Sequence, residues 1–250
     1  MKLRYRIADA LGYRLVKKKK DHSRIESHLP KVLESLGINC VVDAGANRGQ
    51  YAKMLRALGY AGRIVSFEPV PSVHEALVRA AEGDPNWFTH PLALGSADEE
   101  RRIHVAQRSD LASLLPASEY GREASGGKVG AVEQLTIPVR RLDGLWSSIA
   151  ADLADPRVFL KMDTQGYDLE VFAGAHGCLD LVLGLQSELS ALHLYEGMPD
   201  YVTSLAEYRR WGFEATGFFE VFRDKASAVL GEFDCVMIRP PKAGAASDLR

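Results

Sequence analysis

The residues best suited to chemistry fall at a few points in the chain. Asp43-Ala44-Gly45-Ala46-Asn47-Arg48-Gly49-Gln50-Tyr51 follows a short apolar run and opens an amphipathic one, so it reads as a glycine turn between a strand and a helix. Glycines there let the backbone turn tightly and approach a ligand closely. The spacing is G-x-x-x-G, and the G-x-G-x-x-G of a pyrophosphate cradle is missing. Asp43 would repel a phosphate and could hold an ammonium group; capping the turn is its plainer alternative. Phe67-Glu68-Pro69 closes the next strand pattern, and a carboxylate there can accept both hydroxyls of a ribose. Together the two points predict S-adenosylmethionine, with its amino-acid end at 43–49 and its ribose at Glu68.

Lys161 and Asp163 lie two apart at the end of an apolar run and so point to one side. A charged pair in such a place is costly to bury without partners. Asp163 is the leading candidate for orienting or deprotonating an acceptor hydroxyl. Lys161 could pair with it, stabilise a developing alkoxide, or act only as a structural ion-pair partner. Glu188, at the end of the next strand pattern, and His193, just after it, are the second and third candidates for the base, histidine having the ordinary pKa best suited to that work. A structural acid and a surface-loop histidine are their plainer alternatives. His74, His90, His104 and His176 lack metal-ligand spacing, and no metal ligand is assigned.

The elements that must position these groups alternate. Strand patterns at 40–44, 63–67, 87–94, 158–162 and 181–189 are interleaved with helical ones at 51–58, 73–81, 169–175 and 201–211. That rhythm predicts an α/β fold with a mostly parallel sheet covered on both faces. Further helices are expected at 3–16 and 27–35. Strands at 102–107 and 135–140 bracket residues 109–130, a Ser-, Gly- and Ala-rich segment without a sustained period: a lid or substrate loop, or a disordered insertion. The last strands, 213–222 and 233–239, are expected to pair antiparallel at the sheet edge. The chain thus divides into a helical, basic extension (1–37), a catalytic domain (38–240) and a tail (241–250).

The ordered set Asp43 to Tyr51, Phe67-Glu68-Pro69, Ala93-Leu94-Gly95, Ser113-Leu114, Arg141-Leu142-Asp143, Leu160 to Tyr167 and Gly174-Ala175 resembles FkbM-type S-adenosylmethionine-dependent methyltransferases over roughly residues 38–240. The resemblance implies a class I methyltransferase fold, Rossmann-like, with a seven-stranded sheet and an antiparallel edge strand. It implies cofactor contacts at Asp43, Gly45, Ala46, Asn47, Gly49, Glu68, Pro69, Ala93, Leu94, Ser113 and Asp163. It also implies O-methylation of a hydroxyl on a sugar, glycolipid, polysaccharide or polyketide-type product. Gln165-Gly166 stands where Glu-Gly is another form of the motif, which makes a metal ligand at 165 less expected.

Composition bounds these readings. With 250 residues, 46% hydrophobic and 26% charged, the chain is expected to be soluble and globular, and its net charge of -2 gives no general case for nucleic acid. Three scattered cysteines suggest neither a disulfide scaffold nor a thiolate zinc site, which fits a reducing cytoplasm. No apolar stretch approaches the roughly 20 residues of a spanning helix, and charges stand where a signal peptide would have its apolar core. Nine of the first 24 residues are basic against two acids, and Ile7, Ala10, Leu11 and Leu15 recur at helical spacing beside Lys17 to Lys20. Such an arm can lie on anionic lipid, a solvated helix face being the alternative. Two competing functions are a nicotinamide-dependent oxidoreductase, opposed by the missing fingerprint, and a non-catalytic nucleoside-binding or membrane-associated scaffold, opposed by retention of Asp163 and Glu188. The oligomeric state is left unassigned.

Overall fold

The computed structural model describes residues 11–12, 24–224 and 227–240. The helix expected at 3–16, most of the basic arm and the tail at 241–250 lie outside the described residues.

Helix α1 (Ile25–Ser35) precedes β1 (Cys40–Ala44), α2 (Gln50–Ala57), β2 (Arg63–Phe67), α3 (Pro71–Ala81) and β3 (Trp87–His90). After these come β4 (Ala93–Leu94), β5 (Glu99–Ala106), α4 (Glu119–Ala124), β6 (Ala131–Arg140), α5 (Leu142–Ile149) and β7 (Val158–Met162). The chain closes with α6 (Asp168–Ala173), β8 (Val182–Ser190), α7 (Tyr201–Arg210), β9 (Glu214–Arg223) and β10 (Leu230–Ile238). Seven strands form the main sheet in the order β3-β2-β1-β7-β8-β10-β9. The first five run parallel; β10 is antiparallel to both β8 and β9 and so supplies the reversed pairing expected at this edge. A small second sheet has the order β4-β6-β5.

The central strands are apolar almost throughout because both sheet faces are covered. Val41, Ile64 and Phe159 pack with Leu29, Leu55 and Leu77 of α1, α2 and α3 on one face. Val42, Val65 and Leu160 pack with Leu142, Phe172 and Tyr208 of α5, α6 and α7 on the other. The alternation of side chains along β1 and β7 therefore puts Asp43 and Lys161 on the α1–α3 face, in register with each other.

Three departures from the sequence reading are informative. The strand expected at 87–94 is two strands in different sheets: β3 pairs with β2, and β4 pairs with β6. Pro91, which has no backbone N–H for a ladder, lies between them. Helix α5 was not anticipated; its eight residues give too few turns for a clear period. Residues 109–130 are ordered and docked, not loose. They contain a 3-10 turn at Ser109–Leu111 and α4, whose first turn is capped by Ser118, its Oγ accepting from the Gly121 N–H at 2.8 Å. Ala117 and Val129 bury against Leu194, Tyr195 and Met198 of the loop after β8. Gly121 permits this docking, since a Cβ there would lie 2.1 Å from the Leu194 carbonyl oxygen. Insertion and loop thus form one packed lobe above the sheet.

Candidate functional site

A cavity of about 390 Å³ opens beneath that lobe, at the carboxyl ends of β1, β2, β7 and β8. Parallel sheets place their ligands at this edge, where strand order reverses about β1 and β7. Because β10 runs the other way, its early residues reach the same edge, and Asp234 stands directly opposite Glu188.

The glycine turn forms one wall. Gly45, Asn47 and Gly49 all have left-handed backbones, with φ of 74°, 48° and 79°. The N–H groups of Gly45 and Ala46 donate to the Phe67 carbonyl at 3.1 and 3.0 Å, fixing the turn against β2. A Cβ on Gly45 would lie 2.0 Å from the Asp163 carbonyl oxygen, so the turn and the end of β7 meet only because that side chain is missing.

Glu68 is buried beside this turn. Its Oε2 accepts from the Asn47 N–H at 3.0 Å and its Oε1 from the Val70 N–H at 2.9 Å. Each oxygen keeps one lone pair. Burial pushes its carboxyl up to about 7, against the two N–H donors and Lys161, which favour the charged form.

Below the cavity a polar chain crosses four strands. Trp87 Nε1 donates to Ser66 Oγ at 3.0 Å, and Ser66 Oγ donates to Asp43 Oδ2 at 3.2 Å. Lys161 Nζ lies 3.0 Å from Asp43 Oδ1 and 3.4 Å from Asp163 Oδ2. It also donates to the Gly45 carbonyl at 3.2 Å. Burial alone would lower the Lys161 pKa, but the carboxylates of Asp43 and Asp163 more than offset this and hold it above the ordinary value.

Beyond Asp163 the cavity floor is carboxylate and amide. Gln165 Nε2 donates to Asp163 Oδ1 at 3.1 Å and to Glu188 Oε2 at 2.8 Å. Gln186 Nε2 donates to Asp234 Oδ1 at 2.9 Å, and the Tyr51 hydroxyl donates to Gln186 Oε1 at 2.9 Å. Burial first, then the surrounding carboxylates Asp163, Glu232, Asp234 and Asp168, raise Glu188 well above the ordinary carboxylate range. Burial pushes Asp234 up to about 6. Asp168 ties this floor together from below, accepting from Thr164 N (2.9 Å), Thr164 Oγ1 (2.6 Å), Ser187 Oγ (2.7 Å) and Glu188 N (3.1 Å).

Most residues singled out from the sequence meet here: Gly45, Ala46, Asn47, Glu68, Pro69, Ala93, Leu94, Ser113, Lys161, Asp163 and Glu188 line the cavity. Three do not. Asp43 is fully buried behind the turn, its charge turned to Lys161 and Ser66, so it holds the wall from outside and offers no carboxylate to an ammonium group. Gly49 packs against the Trp87 ring. His193 is exposed in the lobe, where its carbonyl accepts from Ser118 Oγ at 2.6 Å, and its ring is not among the cavity's lining groups. Arg141 and Asp143 are paired with each other, with the Ser96 carbonyl and Gly177 N–H as further partners, away from the cavity. Sequence reasoning missed Tyr51, Gln186, Tyr195 and Asp234 as site-builders. Tyr51 closes the quoted glycine-turn motif and Gln186 lies in the strand pattern 181–189, but nothing in the spacing links two positions 135 apart. Among the described residues no group of three or more His, Cys, Asp and Glu side chains is arranged to hold a metal ion, and no helix is long and apolar enough to cross a membrane.

Sheet order, the glycine turn on β1 and the acid ending β2 define a class I methyltransferase fold. The chain belongs to the FkbM methyltransferase family, whose sequence profile, the methyltransferase FkbM domain, matches residues 43–214. A comparison with curated proteins finds no match. Among solved structures the chain is similar to an rRNA methylase from Streptococcus thermophilus, with 11% identity, a TM-score of 0.44, and 87% of this chain and 98% of that one covered. It is similar also to a SAM-dependent methyltransferase from Aquifex aeolicus, with 12% identity, a TM-score of 0.41, and 90% and 100% covered. A third is Aeropyrum pernix fibrillarin in complex with S-adenosyl-L-methionine, with 10% identity, a TM-score of 0.42, and 81% and 66% covered. Likenesses this distant carry nothing about substrate.

The ion pair beneath the cavity makes a direct prediction. Lys161→Met leaves Asp43 buried without its countercharge and should cost about 3–5 kcal/mol. Adding Asp43→Asn to that variant removes the stranded charge and should recover part of the loss. Urea denaturation of the single and double variants measures both effects.

Proposed function

We propose that the protein is an S-adenosylmethionine-dependent O-methyltransferase acting on a hydroxyl of a sugar, glycolipid, polysaccharide or polyketide-type product. The observation that carries this reading is the single cavity shared by the Gly45 turn, Glu68 and the Asp163–Glu188 pair. The fit to the cofactor rests on this chain's own groups. Gly45, Ala46 and Asn47 of the turn line the cavity, and Glu68 keeps a lone pair on each oxygen for a ribose hydroxyl. Four carboxylates (Glu68, Asp163, Glu188, Asp234) line the cavity beside an Asp110 already paired with Arg108, against one lining cation, Lys161, itself paired. That imbalance suits a positively charged sulfonium ligand, whose chemistry is to supply an activated methyl group.

The protein's share of the work is alignment and one proton. Holding an acceptor oxygen in line supplies much of the acceleration in such a displacement. An alcohol becomes a competent nucleophile as its proton leaves, and Asp163 or Glu188 can take it. Glu188, whose proton affinity burial and its acidic neighbours raise, serves as the base in its ionised form. His193, outside the cavity, drops from the candidates. The same charge balance opposes acceptors bearing phosphate or carboxylate beside the reacting hydroxyl, since Lys161 is the one cation among the described lining residues.

The basic arm is proposed to rest on anionic lipid at the cytoplasmic face of a membrane. In sequence it precedes Ile25, the first residue of α1 and a lining residue of the cavity.

Three measurements test this. Ribose hydroxyls favour the charged form of Glu68, so below pH about 7 binding must release a proton. Affinity for S-adenosylmethionine should therefore climb with pH, by at most about tenfold per unit, and level off above 7. Calorimetry across pH 5.5–8 reads this, and Glu68→Gln should bind weakly without the slope. A preference for NAD would overturn the reading. Glu188→Gln should keep cofactor affinity yet lose on the order of 10²–10⁴ in turnover on a panel of neutral glycosides with radiolabelled methyl donor, and Asp163→Asn should follow it to a similar or smaller extent. Unchanged methylation in either variant removes that residue from the base role. Vesicles containing anionic lipid should sediment the intact protein but not one lacking residues 1–24; no binding by the intact protein ends the surface role.

A further inference from the structure

Gln165 is buried in the turn from β7 to α6 with φ of 54°, a left-handed backbone that few residues with a side chain adopt. Such a conformation persists only where its surroundings over-determine it. Here they do. Its backbone carbonyl accepts from Ser113 Oγ at 2.7 Å. Its two amide protons go to different carboxylates, Asp163 and Glu188, at 3.1 and 2.8 Å. Its Oε1 lies 2.9 Å from the Tyr195 hydroxyl, which also reaches the Leu111 carbonyl at 3.0 Å. Turning the amide over would aim an oxygen at both carboxylates, so the partners fix its orientation.

A carboxamide is the neutral group that can bridge two anions by donating to each. Without it Asp163 and Glu188 would lose the one donor that they share. The contacts on its other side come from the 109–130 insertion, through Ser113 and Leu111, and from the loop after β8, through Tyr195. Gln165 is therefore the point at which the lobe and the carboxylate pair meet.

We infer that Gln165 is a positioning residue: an amide clamp that holds Asp163 and Glu188 as a spaced pair and ties that spacing to the seating of the overlying lobe through Ser113 and Tyr195. Its bearing on catalysis rests on the methyl-transfer reading above; the clamp itself does not. A space-filling role would be served as well by leucine, which has similar bulk and no donor.

The test needs neither cofactor nor acceptor. Side-chain carboxyl 13C resonances of the ligand-free protein are followed through a pH titration, with Glu188 identified by the signal lost in Glu188→Gln. Charged or titratable groups facing Glu188 are Asp163 and Lys161 at the end of β7, Asp168 of α6, Asp234 and Glu232 of β10 and Tyr195 of the lobe. All of these stay in place in Gln165→Leu. Losing a donor to the charged form should move the Glu188 midpoint up by about one pH unit. Tyr195→Phe, which frees the amide's other end, should move it the same way by less, and the double variant should go no further than Gln165→Leu. An unmoved midpoint in Gln165→Leu, or strictly additive shifts, overturns the clamp. Should Gln165→Leu fail to fold, Gln165→Glu serves: a third anion in contact with Glu188 must raise its midpoint, and an unchanged one overturns the proposal equally. Failure of the methyl-transfer reading would show separately, as absent binding of S-adenosylmethionine to the wild-type protein.

Discussion

The site depends on one buried ion pair. Asp43 and Lys161 are register partners on adjacent parallel strands, both on the face toward α1–α3 and both almost wholly removed from water. Two charges in such a place are tolerable only when their remaining hydrogen-bonding capacity is filled. Ser66 completes Asp43, itself held by Trp87, while the Gly45 carbonyl and Asp163 complete Lys161. The pair therefore sets where the glycine turn stops, where β7 ends and how far Asp163 is drawn toward the sheet. A strand-end aspartate that invites comparison with a ligand-binding acid turns out to be the anchor on which the cavity wall is hung.

Above that anchor the cavity is electrically one-sided. Carboxylates outnumber cations, and the two amides of Gln165 and Gln186 stand where counter-ions might be expected. Neutral donors hold the carboxyl oxygens of Asp163, Glu188 and Asp234 in position without adding charge. Burial meanwhile raises the proton affinities of Glu68, Glu188 and Asp234.

Much of this was legible from local pattern. β1, β2 and β7 fall at 40–44, 63–67 and 158–162 as expected, because short runs buried on both faces have sharp ends where polar residues begin. The Gly45 turn, Glu68, Asp163 and Glu188 share one cavity because strand-end residues of a parallel sheet converge on one edge. What escaped is non-local. Asp43 differs from Glu68 only in which side of its strand end it occupies and in having Lys161 as a cross-strand neighbour, a pairing that register alone reveals. Tyr195 and Gln165 are 30 positions apart, and Gln186 and Asp234 are 48 apart, separations at which spacing carries no signal. Residues 109–130 lacked a period because they dock through scattered contacts such as Ala117, Gly121 and Val129 and present no continuous apolar face.

The reversal of β10 has a consequence for kinship. Strands that run with β1 bring only their last residues to the active edge, whereas β10, entering from that edge, brings its first ones and sets Asp234 opposite Glu188. Asp234, Val221 of β9 and Ile25 of α1 all line the cavity, and all three lie outside the segment 43–214 that defines the family. The matched portion encloses Glu68, the glycine turn, the Asp163–Glu188 pair and the cavity-lining residues between Ser109 and Leu114; Ile25, Val221 and Asp234 complete the wall from outside it. The cavity is therefore closed by elements at both ends of the chain that the family profile does not reach.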